Sequence, residues 1–485
     1  MLNSSSSSSC SKLVYFFVIP LILLSGLVII LNQKPSRTYS WPSIHYPVNS
    51  LSTKNQERTS GAAPPPATAA AKDQLPVADV VRLQKNFSNL EIVEASLAQA
   101  RQTIQESRLN KKTSYNDPDH YVPKGSIYRN ANAFHRSYLE MEKLFKIYVY
   151  EEGEPPLFHY SKSKGILGIE GILIHQIEIS KFRTKDPEKA YVYFVPLSVQ
   201  SIVDFAYQIH NREWTPLRNI ASDYVNLIAT KYPYWNRTLG HDHFMLACLT
   251  IGCVVTNEIS QGPKVSKGVP YLYKNSIRVL CNANTTEGFK PSIDVSLPEI
   301  YLPEGTMDGL IGGPPPSKRS ILVFYAGGVH GYIRQMLMDQ WKDKDPELQI
   351  YEYLPKHMSY YDMFRKSKFC ICPSGWEVAS PRMVEALYMG CVPVLLKDYY
   401  AKPFDDVLDW STFSVDVHGT EIPDLKNILM AISRDKYIEM QRRGIEVRRH
   451  FEVNFPPKRY DVFHMILHSI WLRRMNVKLH DLDGS

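Results

Sequence analysis

Two series of short β-rich runs alternating with helical runs constrain this chain most, because strands joined through helices pair in parallel and need helical cover on both faces. The first series opens with a strand at 144–150 (LFKIYVY), a helix at 170–182 and a fully buried strand at 190–195 (AYVYFV). A helical region over 199–231 and a strand at 277–281 complete it. Gly, Pro and Ser then dominate 304–320 (EGTMDGLIGGPPPSKRS), which marks a hinge linker. Beyond it, strands are predicted at 321–325, 348–353, 369–372, 392–396 and 413–417. Helices are predicted near 332–342, 360–366, 381–389 and 423–433, with more helix to the C-terminus. The expected fold class is α/β: two Rossmann-like domains, 141–303 and 321–485, facing a cleft where ligands of open parallel sheets bind.

The N-terminal part obeys different rules. Residues 13–31 (LVYFFVIPLILLSGLVIIL) are 19 positions without a charge, enough helix for a hydrocarbon core of roughly 30 Å. The flank Ile29-Ile30-Leu31-Asn32-Gln33 offers no small-x-small cleavage site, so the expectation is an uncleaved anchor rather than a signal peptide. One span of the lipid bilayer would follow a short cytosolic tail, 1–12, with the folded body in the secretory lumen. Sequons at Asn86-Phe87-Ser88, Asn236-Arg237-Thr238 and Asn284-Thr285-Thr286 are compatible with that compartment. The stem covers 32–140. Its first part is rich in Ser, Pro and Ala; then Val80, Leu83, Phe87, Leu90, Val93, Leu97, Ala100 and Ile104 form an apolar stripe that predicts a helix over about 79–108. The stripe is short and slips register once, which favours docking on the folded body over a homo- or hetero-oligomeric stem.

With 44% hydrophobic and 22% charged residues among 485, the chain has ample core and is neither disordered nor fibrous. The charge of +7, from 56 basic and 49 acidic residues, suits an anionic substrate and gives no ground for a nucleic-acid partner. Seven cysteines are too few for a disulfide scaffold, and none forms a C-x-x-C zinc pair. Cys370 and Cys372, two apart on one strand, are not expected to pair with each other, and a Cys248–Cys281 link is left open. The basic run Arg442, Arg443, Arg448 and Arg449 reads as a solvated helix face, with an acidic-glycan contact as the alternative.

Three segments carry candidate chemistry. In 372–387 (CPSGWEVASPRMVEAL), Ser380 suits an N-cap and Pro381 the first helical position. Val384, Leu387, Tyr388 and Cys391 then face the core, while Arg382, Glu385 and Met389 share roughly the opposite face. Ser374, Gly375, Glu377 and Ser380 lie on the preceding strand-loop-helix junction. Backbone N–H groups and Arg382 suit phosphates, and Glu385 suits ribose hydroxyls; a surface i,i+3 ion pair is the plainer reading. In 326–334 (AGGVHGYIR), Gly327 and Gly328 allow close backbone approach, flanked by His330 and Arg334. The segment is neither a G-x-G-x-x-G fingerprint nor a P-loop, and a tight turn explains it equally well. In 240–244 (GHDHF), Asp242 or His243 could act as general base toward an acceptor hydroxyl. Metal ligation is the rival, unsupported by an H-E-x-x-H or a second cluster, and a hydrogen-bonded turn is the plain alternative.

The segments 182–199 (FRTKDPEKAYVYFVPLSV), 279–303 (VLCNANTTEGFKPSIDVSLPEIYLP), 324–335 (FYAGGVHGYIRQ) and 367–396 (SKFCICPSGWEVASPRMVEALYMGCVPVLL) resemble the plant exostosin-like glycosyltransferases, family 47, over about 144–417. The resemblance implies a Golgi type II membrane enzyme of GT-B fold. It would be an inverting transferase that moves a sugar from a nucleotide sugar, a UDP-sugar, to a cell-wall polysaccharide such as xyloglucan, xylan or a pectic side chain. It places Arg382 and Glu385 in the nucleotide-sugar segment, Gly327–Arg334 in the donor-side loop, and Asp242 and His243 in the acceptor-side cluster. No cofactor and no metal are expected, since fixed cations can serve the leaving diphosphate. One departure stands out. Where relatives read Ala-Cys-His-Asp-Trp-Gly-Pro, this chain has Ala247-Cys248, then 249–261 (LTIGCVVTNEISQ), then Gly262-Pro263. A splice or gene-model artefact is the expected cause. A genuine segment would alter the floor of the cleft and favour the alternative function, a catalytically silent membrane-anchored partner of an active transferase.

Overall fold

Parallel pairing, with one reversal of strand order in each sheet, organises the described part of the chain. A computed structural model describes residues 88–109, 121–207, 213–248 and 266–480. The cytosolic tail, the span at 13–31, Asn86 and the departure at 249–261 lie outside these residues. Among the described residues no helix is long and apolar enough to cross a membrane. The first sheet holds β1 (Ile147–Val149), β2 (Arg183–Thr184), β3 (Val192–Phe194), β4 (His243–Ala247), β5 (Ile277–Leu280) and β6 (Val295–Ser296), in the order β2-β1-β3-β4-β5-β6. The second holds β7 (Ile321–Ala326), β8 (Leu348–Tyr351), β9 (Ser367–Pro373), β10 (Val392–Leu396) and β11 (Val415–Asp416), in the order β11-β10-β9-β7-β8. Every pairing between these strands is parallel, in keeping with the unbroken apolar runs of β3 and β10.

The expected α/β architecture is present, with local differences. The helical region over 199–231 is two helices, Val199–Ala206 and Thr215–Lys231. Strand β4 was hidden in sequence by the titratable residues at its start, yet all five of its residues are buried. Disulfides join Cys248 to Cys281, at the ends of β4 and β5, and Cys370 in β9 to Cys391 just before β10. Cys372 remains a buried thiol.

The last helix, Val462–Asn476, departs from its expected place with the second half. Arg473 Nε donates to the Asp294 carbonyl (2.8 Å), and Trp471 Nε1 donates to Ser137 Oγ (3.2 Å), so the chain's end returns to the first sheet. In the opposite direction, Arg129 N donates to the Val407 carbonyl, and Tyr128 bridges to Leu408. One hydrophobic core consequently runs through residues of both halves.

The helix Asn89–Leu109 is part of that body. Leu90, Val93, Leu97 and Ala100 are buried, which is the face that the three- and four-residue spacing selects. Glu94 accepts from Arg474 Nη2 at 2.6 Å, and Arg101 Nε donates to the Met475 carbonyl at 2.7 Å. The upstream residues of the stripe, Val80, Leu83 and Phe87, lie outside the described part. Removing one partner of a buried pair leaves the other charge uncompensated. Glu94→Ala should therefore lower the unfolding free energy by about 3 kcal/mol, read from urea denaturation. A midpoint equal to wild type would show that the helix is no part of the cooperative fold.

Candidate active site

Strand order locates the site before any side chain is considered. After β7 the chain goes outward to β8, then returns to β9 on the other side. The loops leaving β7 and β9 diverge there and open a crevice at the C-terminal edge of the sheet. The β7 loop carries Gly327, Gly328 and His330, and the helix Tyr332–Trp341 follows with Arg334. The β9 loop carries Ser374, Gly375, Trp376, Glu377 and Ser380, and the helix Arg382–Tyr388 follows. Lys397 is the first residue past β10.

These pieces converge on backbone. Arg382 donates through Nε (3.2 Å) and Nη2 (3.0 Å) to the Ala326 carbonyl at the end of β7, and its guanidinium lies 5.3 Å from the Tyr325 ring centre. Arg334 Nη1 donates to the Gly328 carbonyl at 3.2 Å, while its buried Nε has no hydrogen-bond partner among the described residues. Lys397 Nζ donates to the Val378 carbonyl. Two glycines make this possible. A side chain on Gly327 would strike the Arg382 guanidinium, and a Cβ on Gly375 would come within 2.8 Å of Arg334 Nη2. The His330 and Trp376 rings sit 4.7 Å apart beside them.

Three cations thus share one edge and bond to carbonyls and, for Arg382, the Ser380 hydroxyl as well. Burial, reinforced by the Arg382 charge, lowers the pKa of Arg334. Burial and the charges of Arg334 and Arg382 push the Lys397 amine down to about 7, against the pull of Cys372 and Glu299. His330 is lowered by burial and the same two guanidiniums. The carboxylates of Glu299 and Glu385 act on these cations through their charge, and a ligand with paired negative oxygens would bond to the cations directly.

The first sheet reaches this edge through its own strand ends. Asn282 Oδ1, just past β5, accepts from Val378 N at 3.1 Å, and the Ala283 carbonyl accepts from Ala401 N at 2.9 Å. Neither Asn282 nor Lys397 stood out in the sequence. Both lie within two residues of the end of a buried strand, and that position was the available signal.

Several expected roles change. The helix starts at Arg382, and Ser380 Oγ accepts from Arg382 Nη1 (3.4 Å) rather than capping it. Ser374 ties β9 to β10, its N and Oγ both donating to the Leu396 carbonyl. Gly375 N donates to the carbonyl of Glu377, which is buried. Glu385 is only 4% exposed and accepts from Tyr360 Oη at 2.8 Å. Burial raises its pKa against the pull of Arg382 and that hydrogen bond. It is buried and bonded to Tyr360, which departs from the open ribose contact expected of it. Met389, on the supposed outer face with it, is also buried.

Asp242 and His243 need the largest correction. They stand at the start of β4, the opposite edge from the crevice, and are 1% and 0% exposed. Asp242 Oδ1 accepts from Thr238 Oγ1 (2.6 Å) and pairs with His243 Nδ1 (2.8 Å), and His243 Nε2 bonds Tyr150 Oη (2.8 Å). Sealed and saturated, neither reaches an acceptor hydroxyl in this geometry. Asn236 is exposed, as a glycosylated residue must be. Asn284 is 8% exposed, and its side chain is bonded to Thr286 N and Glu287, so it does not fit a glycan. Among the described residues no three His, Cys, Asp or Glu side chains gather as a metal site.

Residues 141–432 match the model of the Exostosin GT47 domain. A probable glycosyltransferase of Arabidopsis thaliana is 47% identical over 99% of this chain and 97% of its own length. A second one is 51% identical over 80% of this chain and 81% of its own. A probable glucuronoxylan glucuronosyltransferase of the same plant, IRX7, is 28% identical over 59% of this chain and 66% of its own. The crystal structure of Anabaena HepE in complex with UDP aligns with 66% of this chain and 97% of its own at TM-score 0.35 and 10% identity, too distant a likeness to argue from.

The correction at β4 is testable through pH. Burial alone would raise the Asp242 carboxyl, but the hydrogen bond and charge of His243, with Arg474 and Thr238, outweigh it and lower the pKa. A lowered carboxylate stabilises the fold above its unfolded pKa of about 3.9, and the contribution is lost as pH falls through the folded value. Asp242→Asn should therefore cost about 3 kcal/mol in urea unfolding at neutral pH, and the gap to wild type should shrink in acid. Wild-type stability together with abolished transfer would restore the catalytic role.

Proposed function

The chain belongs to the exostosin GT47 family of glycosyltransferases, and we propose that it transfers a sugar from a UDP-sugar to a plant cell-wall polysaccharide with inversion. The observation that carries this reading is the set of three cations, Arg334, Arg382 and Lys397, bonded to carbonyls at the switch point of the second sheet. A pyrophosphate would supply charged oxygens to bond with them directly. In the reaction, the acceptor oxygen attacks the anomeric carbon opposite the diphosphate and forms the new glycosidic bond. The bond from the anomeric carbon to the phosphate oxygen breaks, and the electron pair leaves with UDP, whose growing charge the cations stabilise. The acceptor's proton passes to a base other than the sealed Asp242 and His243. Relatives named for glucuronoxylan support a polymeric acceptor, and the fold proposed for the two sheets is GT-B. A Golgi membrane location, single-pass type II with the body lumenal, rests on residues 13–31.

The silent-partner reading keeps one observation in its favour. In sequence, the segment lacking His-Asp-Trp begins just after Cys248, the residue that follows β4. Nucleotide binding without transfer to any acceptor would select it.

Calorimetry on the full chain tests the donor site. Arg382→Ala should weaken UDP-sugar binding by about tenfold or more, the loss of charge-assisted hydrogen bonds. Lys397 adds a pH signature. Its amine is partly neutral near pH 7 when free, and a bound diphosphate raises its pKa. Binding should therefore take up a proton above about pH 7 and weaken as pH rises further. Lys397→Met should abolish the uptake. No affinity of the wild-type chain for any UDP-sugar would defeat the reading.

A further inference from the structure

Lys397 leaves β10 among contacts that the first half supplies. A short segment past β5, Asn282–Glu287, meets the chain around it on two sides. On one side Asn282 Oδ1 accepts from Val378 N at 3.1 Å, and the carbonyl of the same Val378 accepts from Lys397 Nζ. On the other, the Tyr399 carbonyl accepts from Thr285 N (3.1 Å) and Thr285 Oγ1 (3.2 Å), and Ala401 N donates to the Ala283 carbonyl at 2.9 Å.

Asn282 is itself aimed. Its Nδ2 donates to Glu287 Oε2 at 3.0 Å, and the second carboxylate oxygen of Glu287 accepts from Asn284 Nδ2 at 2.8 Å. A carboxylate only accepts and a backbone N–H only donates, so the amide must turn its NH2 to Glu287 and its oxygen to Val378. Asp at this place would set a second carboxylate against Glu287, and Leu would offer neither group. Asn282 and Val378 are 6% and 7% exposed, so water does not compete for these bonds. The N–H and the carbonyl of Val378 are separated by one φ,ψ pair, so holding the first restricts where the second can point.

We propose that Asn282, oriented by Glu287, is a positioning residue for the donor site: from the first half it fixes the Val378 carbonyl that directs the Lys397 amine toward the diphosphate. The inference rests on the UDP-binding reading above. An ammonium has three N–H donors, so the one spent on Val378 leaves two for phosphate oxygens. The carbonyl thus sets the direction of the amine without neutralising it, and donor affinity depends on a side chain that acts through Val378.

Calorimetry of UDP binding to the full chain in detergent, run in two buffers of different ionisation heat, reads affinity and proton uptake together. Asn282→Ala should weaken UDP about fivefold, the worth of one hydrogen bond. With the carbonyl no longer fixed, water reaches the amine and its pKa returns from about 7 toward the ordinary lysine value. Proton uptake should therefore fade near neutral pH and set in at higher pH, which a loss of stability alone does not produce. Glu287→Ala should move both readouts in the same direction, and the double variant should be no weaker than Asn282→Ala, because the two residues act in series. Glu94→Ala, which loosens the N-terminal helix instead, should keep wild-type affinity and uptake. Unchanged affinity and uptake in Asn282→Ala, additive losses in the double variant, or the same losses in Glu94→Ala would each overturn the positioning role and leave the donor site standing. A wild-type chain that binds no UDP would overturn the donor site and the positioning role with it.

Discussion

Positive charge held at a sheet edge by backbone oxygens is the constraint around which the second half is built. Arg334 and Arg382 could each have paired with a carboxylate, which would lower the cost of burial. They bond to the carbonyls of Gly328 and Ala326 instead, so their charge remains available to a ligand. Glu385, three residues from Arg382, bonds to Tyr360 and acts on Arg382 through its charge rather than through a hydrogen bond. Gly327 and Gly375 leave the space in which the guanidiniums lie. The parallel sheet explains why these parts meet, because it delivers the ends of β7, β9 and β10 to one edge.

That edge works only if the other half is held against it, and the chain does so from both ends. Residues before β1 bond to the segment after β10, and the last helix comes back to Ser137 and Asp294 near the first sheet. Arg474 on that helix also holds Glu94 of the helix Asn89–Leu109. The N-terminal helix is therefore fastened through the C-terminal one. At the crevice the ties are fewer and polar, chiefly Val378 to Asn282 and Ala401 to Ala283. Apolar packing fixes the halves at the back, and backbone hydrogen bonds align the front, where a ligand must enter.

Much of this was legible in the residues. The strands 321–325, 369–372 and 392–396 and the helix 360–366 were read within two residues of their observed ends, because continuous β-branched and aromatic runs bounded by Gly or Pro have few other uses. Strand β4 was missed, since His243 and the preceding Asp242 masked a buried run behind apparent chemistry. The return of the last helix was also missed. It is buried nearly all round, polar residues included, so no single apolar stripe in its sequence points to the surface it packs against. In the site, Arg382, Arg334 and the glycines were found by motif; Lys397 and Asn282 sit singly at strand ends with no motif.

The misreading of Asp242 and His243 follows from the same geometry. A titratable cluster before an apolar run looks identical in sequence whether it precedes or follows the strand, yet in a parallel sheet the two positions lie on opposite edges. His243 opens β4, whereas Asn282 follows β5 and Lys397 follows β10. Both ends are polar, but only the C-terminal one borders the crevice. The start of β4 instead carries a closed network of Thr238, Asp242, His243 and Tyr150 beneath stacked tyrosines, and each polar atom so engaged is one that the core would otherwise leave without a partner. The sense of the chain through a strand therefore separates chemistry from support here, and residue type alone does not.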